Sequence, residues 1–227
     1  LKPSWLQATI IVKSDLVHRA LSFEIMPLAK RAFKSVKGQP PRKAPRGADA
    51  AQEKLNDELH HACMKSNCDR IIQLVGLGAN VMSAPGGWCH AAHTAALCRR
   101  PDALSVVLAA PGINIDACGP GTTWPIFGCT ENDFGSGTDD TECLELLLKA
   151  GANPAFHNEY NFTMLTYACS EGFDRCARRL LEDPRCQTLE YLTAADTSWG
   201  STAEGEARQR GNNELADLIA ATIASLR

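Results

Sequence analysis

No uninterrupted apolar run in this 227-residue chain approaches the roughly 20 residues that a membrane-spanning helix needs. The segment Ala8 to Val12 is far too short. No two of the ten cysteines form a C-x-x-C pair, and the cluster Cys89, His90, His93 and Cys98 has no standard zinc spacing. Gly86-Gly87 and Gly119-Pro120-Gly121 read as hairpin turns and are followed by no phosphate-binding Lys-Ser/Thr. No G-x-S-x-G nucleophile element occurs. These absences leave no specified catalytic group, cofactor or metal, and the chain is expected not to be an enzyme. Acidic residues are scarce at one end. Residues 1–50 hold ten Lys/Arg against three Asp/Glu, a balance of +7, and residues 51–227 hold thirteen against twenty-three, a balance of −10; together they give the net −3. A basic arm on an acidic body suggests two modules with different jobs, or an arm that folds back on the acidic body. With 44% hydrophobic and 22% charged residues, the chain has the composition of a globular protein with a sizeable core.

What is present is a small residue on a regular beat. Ala62, Ala95, Gly128, Ala168 and Ala207 are separated by 33, 33, 40 and 39 residues. Each lies in a short apolar segment and is followed by a second one, which marks a stacked array of two-helix units. The fourth unit is the clearest. Thr163 can cap a helix, Leu165, Ala168 and Cys169 share one helical face, Gly172 fits the stop, and Cys176, Leu180 and Leu181 form a second apolar face. The first unit runs Leu59-His60-His61-Ala62, then Ile71 to Val75 and Gly78-Ala79-Asn80. The second has His93-Thr94-Ala95-Ala96, then Val106-Val107-Leu108. The third has Thr123 to Gly128, then Leu146-Leu147-Leu148 and Gly151-Ala152-Asn153. The fifth has Thr202-Ala203 and Ala207, then Gly211 to Ile219.

This pattern resembles the ankyrin repeat, T-P-L-H-x-A-A-x-x-G followed by L-L-L and G-A-D/N, across about residues 55–223. The resemblance implies an all-α, ankyrin-type helix-turn-helix solenoid of about five units with short hairpin fingers, occupying residues 51–227. The fourth unit departs from the family at Met164, where Pro is usual, and at Thr166, where His is usual. In the family that His ties neighbouring units together, so the tie is in question there. The last unit has a polar first helix, with Glu204, Glu206, Arg208 and Gln209, as a terminal cap should. Two insertions break the beat: about seven residues within Thr130–Thr141 and about six around Cys186–Asp196. Each reads either as a functional loop or as drift in a tolerant surface segment.

Residues 1–50 match no unit. Ser14 to Phe33 has much helical spacing, interrupted by Pro27, and Gly38 to Gly47 reads as a Pro-rich connector. A basic, partly helical N-terminal arm and linker are expected, with Trp5, Leu21, Ile25, Lys30 and Arg31 as candidate contacts. Padding of the first unit, docking on another protein and association with an anionic membrane surface all fit this composition; nucleic acid fits least. The first residue is Leu, which suits processing, truncation or an internal start, and the acid-poor opening is somewhat like a targeting segment.

The ankyrin resemblance places recognition on the fingers and first helices. The finger stretches run about Met82–Trp88, Asp116–Thr122, Phe156–Phe162 and Asp196–Gly200. Candidate partner-binding residues are therefore Trp88, Phe156, Tyr160 and Trp199, with Phe134 in the third-unit insertion. Trp124, at a helix start, reads instead as a packing residue. Cys63, Cys129, Cys143, Cys169 and Cys176 occupy helix-packing positions, which suits reduced thiols in an intracellular compartment, cytoplasm or nucleus, with an organelle also open. The expected function is protein–protein recognition, as an adaptor or accessory subunit, with the arm as second anchor. The alternatives are a membrane-surface subunit held by the arm, and a metal-binding or enzymatic protein using its Cys and His residues.

Overall fold

A computed structural model describes residues 48–85, 89–118, 124–130, 139, 141–158, 160–197 and 199–227. The expected helix within 14–33 and the connector before residue 48 lie outside them. Among the described residues ten α-helices follow one another: α1 (Ala48–Met64), α2 (Cys68–Gly76), α3 (Ala91–Leu97), α4 (Pro101–Leu108), α5 (Glu142–Lys149), α6 (Met164–Glu171), α7 (Asp174–Leu181), α8 (Leu189–Leu192), α9 (Ala203–Gln209) and α10 (Asn213–Ser225). Two 3-10 turns, Pro125–Cys129 and Pro184–Cys186, interrupt the series. The only β pairing among these residues is the single bridge between His157 and Thr163, so the fold is all-α. None of the described helices is long and apolar enough to cross a membrane.

Local chemistry explains the helix ends. Thr163 accepts from Thr166 N at 3.1 Å, Thr202 from Gly205 N at 3.2 Å and Asn212 from Leu215 N at 3.1 Å. Each side-chain oxygen satisfies a first-turn N–H that has no partner within its helix. Gly172 closes α6 at φ +78, a conformation that glycine reaches without a Cβ penalty.

Helices pair within a unit (α1 with α2, α3 with α4, α6 with α7, α9 with α10) and stack on the corresponding helices of the next. Thus α1 packs on α3, α2 on α4, α4 on α5, α6 on α9 and α7 on α10. The small residues of the beat sit where the first helices meet. Ala62, Ala95, Ala168 and Ala207 are buried, and Gly128 packs its backbone against α3. A Cβ on Gly128 would lie 2.9 Å from His93 O and 3.1 Å from Leu97 N. One hydrophobic core runs from Leu59 to Ile223, with Leu74, Leu104, Leu147, Leu180 and Leu215 fully enclosed. Burial of each such side chain contributes about 1.5–3 kcal/mol before entropy is subtracted.

Polar links recur between units. His60 Nε2 lies 3.1 Å from Ser83 O, a carbonyl that can only accept, so Nε2 carries the proton. Its Nδ1 then accepts from the Thr94 hydroxyl at 3.0 Å, across the junction of the first two units. Asn80, Asn114 and Asn153 each fold back to accept the N–H two residues on, at 2.9, 3.2 and 3.0 Å. In the fourth unit Thr166 bonds the Thr163 hydroxyl at 2.9 Å, so no histidine tie forms there.

The third unit differs from the expected two-helix pattern. Its first element is the 3-10 turn Pro125–Cys129, and Gly128 within it is a poor helix former. Arg99 of the second unit reaches across this shortened element. Its Nη1 donates to Ala96 O at 3.0 Å and Gly128 O at 2.5 Å, and its guanidinium lies 5.2 Å from the Phe173 ring centre in the fourth unit.

Both insertions are anchored to the framework. Asp139, from the first, accepts from Arg175 N and Cys176 N at 2.5 and 3.1 Å at the start of α7. The second supplies the turn Pro184–Cys186 and helix α8, and it buries Cys186, Tyr191 and Leu192 in the core. The Tyr191 hydroxyl accepts from Leu165 N at 3.1 Å. Neither of the two readings of the second insertion as a surface loop describes this core-filling element.

Candidate functional site

Two fingers in the fourth and fifth units are built by the same device: an acid or amide side chain accepting N–H groups of its own turn. In the fourth, Asn158 Oδ1 accepts from Tyr160 N and Phe162 N at 3.0 and 2.9 Å, and Asn158 N donates to Phe162 O at 3.0 Å. In the fifth, the buried Asp196 accepts from Trp199 N at 2.7 Å and Ser201 N at 2.6 Å, and its own N–H donates to Ser201 O at 3.0 Å. Charged acceptors with several backbone donors hold a turn firmly. The fingers are tied side by side. Thr197 N donates to Tyr160 O at 2.9 Å, and Asn161 Nδ2 donates to Ala195 O at 2.9 Å.

Each finger presents one ring to solvent. Tyr160 is 51% exposed and Trp199 85%, while their backbones are held in hydrogen bonds. A large apolar ring on a fixed backbone loses little conformational freedom on binding.

Beside these rings runs a continuous aromatic band. Phe156 stacks on Trp124 at 4.9 Å and 14°. Trp124 meets Phe127 at 5.7 Å, Phe127 meets Tyr167 edge-on at 5.8 Å and 82°, and Tyr167 meets Phe162 at 5.3 Å. Each contact contributes about 0.5–1.5 kcal/mol beyond area burial. Phe127 is enclosed; the other four rings are half-buried. The chain has only 14 aromatic residues (4 Trp, 3 Tyr, 7 Phe), and the band with the two finger rings uses seven of them. That concentration sets units three to five apart from the first two.

The structure brings Phe156, Tyr160 and Trp199 to this region. Phe156 spends one face on Trp124 and packs against the core, so Tyr160 and Trp199 are the exposed pair. Trp124 packs within the chain, as its place at a helix start suggested. Trp88 and Phe134, and the arm residues Trp5, Leu21, Ile25, Lys30 and Arg31, lie outside the described residues. Sequence reading missed Phe127, Phe162 and Tyr167. Tyr167 immediately precedes Ala168 of the beat, on the first helix of its unit, and that adjacency was the signal available.

Charges of both signs lie along the first helices of these units, with the Arg210 side chain against Gly172, next to Glu171. Glu171 follows Tyr167 by four residues on α6, and Glu206 on α9 lies near Cys169. No ion pair engages either carboxylate among the described residues, whereas several arginines of these units are paired: Arg178 with Glu214 at 3.0 Å, Arg179 with Glu145 at 2.6 Å and Arg208 with Asp217 at 3.0 Å.

Burial sets the state of the thiols. Desolvation pushes Cys63, Cys169 and Cys186 up to about 12, and it also raises Cys68, Cys98 and Cys118. A protonated thiol is a poor nucleophile and a poor metal ligand. Among the described residues, no three His, Cys, Asp or Glu side chains converge to hold a metal ion. A cleft of about 340 Å³ beside α8, α9 and α10 is lined by Leu192, Thr193, Thr202, Glu204, Ile223 and Arg227.

No model of a known protein family matches the chain, and no curated protein matches it significantly.

Proposed function

We propose that the chain is an ankyrin-type solenoid that binds a protein partner through the finger and first-helix face of units three to five, as an adaptor or accessory subunit of a larger assembly. The observation that carries this reading is the pair Tyr160 and Trp199, two exposed rings on cross-linked fingers beside a packed aromatic band. Rigid exposed aromatics of this kind are the usual anchors of protein interfaces. Three features support the family reading: the buried small residues of the beat, the recurring Asn turns at 80, 114 and 153, and the His60–Thr94 link between units. The basic arm serves as a second anchor, and two tethered contacts add through raised effective concentration. The buried thiols fit an intracellular, reducing compartment.

Affinity capture from the native source tests this, with the full chain and its Tyr160→Ala/Trp199→Ala form as baits. Loss of the specifically recovered proteins in the variant is expected. Equal recovery by both baits contradicts the reading.

A further inference from the structure

The junctions of the array are not alike. Units one and two join helix on helix, α1 on α3 and α2 on α4, and units four and five join through α6 on α9 and α7 on α10. Units two and three meet through α4 on α5 and through Gly128 pressed against α3. Among the described residues, neither the 3-10 turn nor the helix of unit three shares a broad packing face with a helix of unit four. The turn Pro125–Cys129 packs on α3 and α5 instead. Side chains bridge this junction one at a time. The Phe127 ring meets Tyr167 edge-on at 5.8 Å, Arg99 lies 5.2 Å from the Phe173 ring centre, and Asp139 accepts from Cys176 N at 3.1 Å. Arg185 Nη1 donates to Ala152 O at 2.8 Å, and Arg179 pairs with Glu145 at 2.6 Å. Both members of that pair are partly open to water, where such pairs contribute little.

We infer that the array yields at the junction of units three and four, and that units four and five open as one block while the first three units stay folded. In a stacked array, stability is close to the sum of each unit's own term and the terms of its junctions, so the junction with least packing parts first. The two-unit block is the smaller side, and about three units are needed for a stable core. Inside the block the ties are dense. Beyond its helix pairs, Thr197 N donates to Tyr160 O at 2.9 Å and Asn161 Nδ2 donates to Ala195 O at 2.9 Å. The Tyr191 hydroxyl, from α8, accepts from Leu165 N on α6 at 3.1 Å. Opening parts Phe127 from Tyr167 and uncovers a ring that the closed array encloses. The Tyr160 and Trp199 fingers move with the block as one piece. This holds whether or not the fingers dock a partner.

Native-state hydrogen exchange of the full chain, read by mass spectrometry where exchange follows the opening equilibrium, tests this. The central amides of α6, α7, α9 and α10 are expected to share one protection factor, about ten-fold below that of α4 and α5. Two conservative core substitutions then separate the blocks. Ile219→Val, at a buried residue of α10, is expected to speed exchange in α6, α7, α9 and α10 by a common factor of about five, the effect of one lost buried methyl group. Ile71→Val, at a buried residue of α2, is expected to leave those four helices unchanged. If Ile219→Val speeds only α9 and α10, the units peel singly. If Ile71→Val also speeds α6 to α10, the array is one cooperative body. If α5 is protected no better than α6, the break lies at another junction. Each of these three results overturns the proposal.

Discussion

The Asp139 carboxylate accepts the backbone N–H of Cys176 at 3.1 Å, thirty-seven residues further along the chain. A residue of an insertion thereby caps a helix of the next unit, a task usually performed by the residue just before the helix. Arg175 N donates to the same carboxylate, and Arg175 Nη1 donates to Asp139 O at 3.2 Å. Replacing Asp139 by Ala is expected to cost about 1 kcal/mol, the usual value of a lost N-cap. Urea unfolding of the full chain measures it. An unchanged midpoint would mean that the insertion is not coupled to α7.

Gly128 and Gly205 make a matched pair with opposite expected signs. At Gly128 a Cβ meets backbone atoms at 2.9 and 3.1 Å, and neither can move without displacing α3. Gly128→Ala is expected to destabilise by about 1–3 kcal/mol, the range for overpacking. Gly205 lies inside α9, where the nearest atom to a new Cβ is Thr202 Oγ1 at 3.4 Å. Gly205→Ala is expected to stabilise by up to about 1 kcal/mol through helix propensity. Thermal unfolding compares the two. A neutral Gly128→Ala would mean that close packing against α3 does not require glycine at that beat.

Tyr191→Phe removes only an oxygen, yet it strands the buried Leu165 N–H that this oxygen accepts at 3.1 Å. A buried donor left without an acceptor costs about 1–3 kcal/mol. Denaturant unfolding should show a loss in that range. A neutral result would mean that α8 fills space without holding α6.

His60 makes stability depend on pH. Burial is the largest influence and lowers its pKa below the ordinary 6.5, against the opposing bond to Ser83 O. Below about pH 6.5 the unfolded chain takes up a proton that the folded chain refuses, so the unfolded state binds more protons and stability falls with acidification. The contribution is complete above 6.5 and shrinks as pH falls toward the lowered folded value. Urea midpoints taken from about pH 7.5 down to 5.5 should decline more steeply for the native chain than for His60→Gln. Parallel declines would assign the acid sensitivity elsewhere.

The beat of Ala62, Ala95, Gly128, Ala168 and Ala207 was legible because close helix contacts need small residues at fixed intervals, and periodicity survives in one dimension. The cap at Thr163 and the stop at Gly172 were legible because capping is local. The Asp139 cap was not, since a carboxylate 35 residues ahead of its helix leaves no periodic mark. Tyr191 and Leu192 looked like loop residues because their insertion breaks the beat, although their apolar bulk fills the core. The aromatic band was half visible: Trp124 and Phe156 stood out at a helix start and a finger, but Tyr167 and Phe162 join them only through stacking of units.

The most direct test of the recognition face is the affinity of a captured partner for single-site variants of the full chain. Trp199→Ala, at the most exposed ring, is expected to raise Kd about 30-fold, equivalent to about 2 kcal/mol for an interface anchor. Leu77→Ala, at a residue 61% exposed in the first unit, is expected to leave Kd unchanged. Equal Kd values for the two variants would contradict the assignment of binding to the Tyr160 and Trp199 fingers.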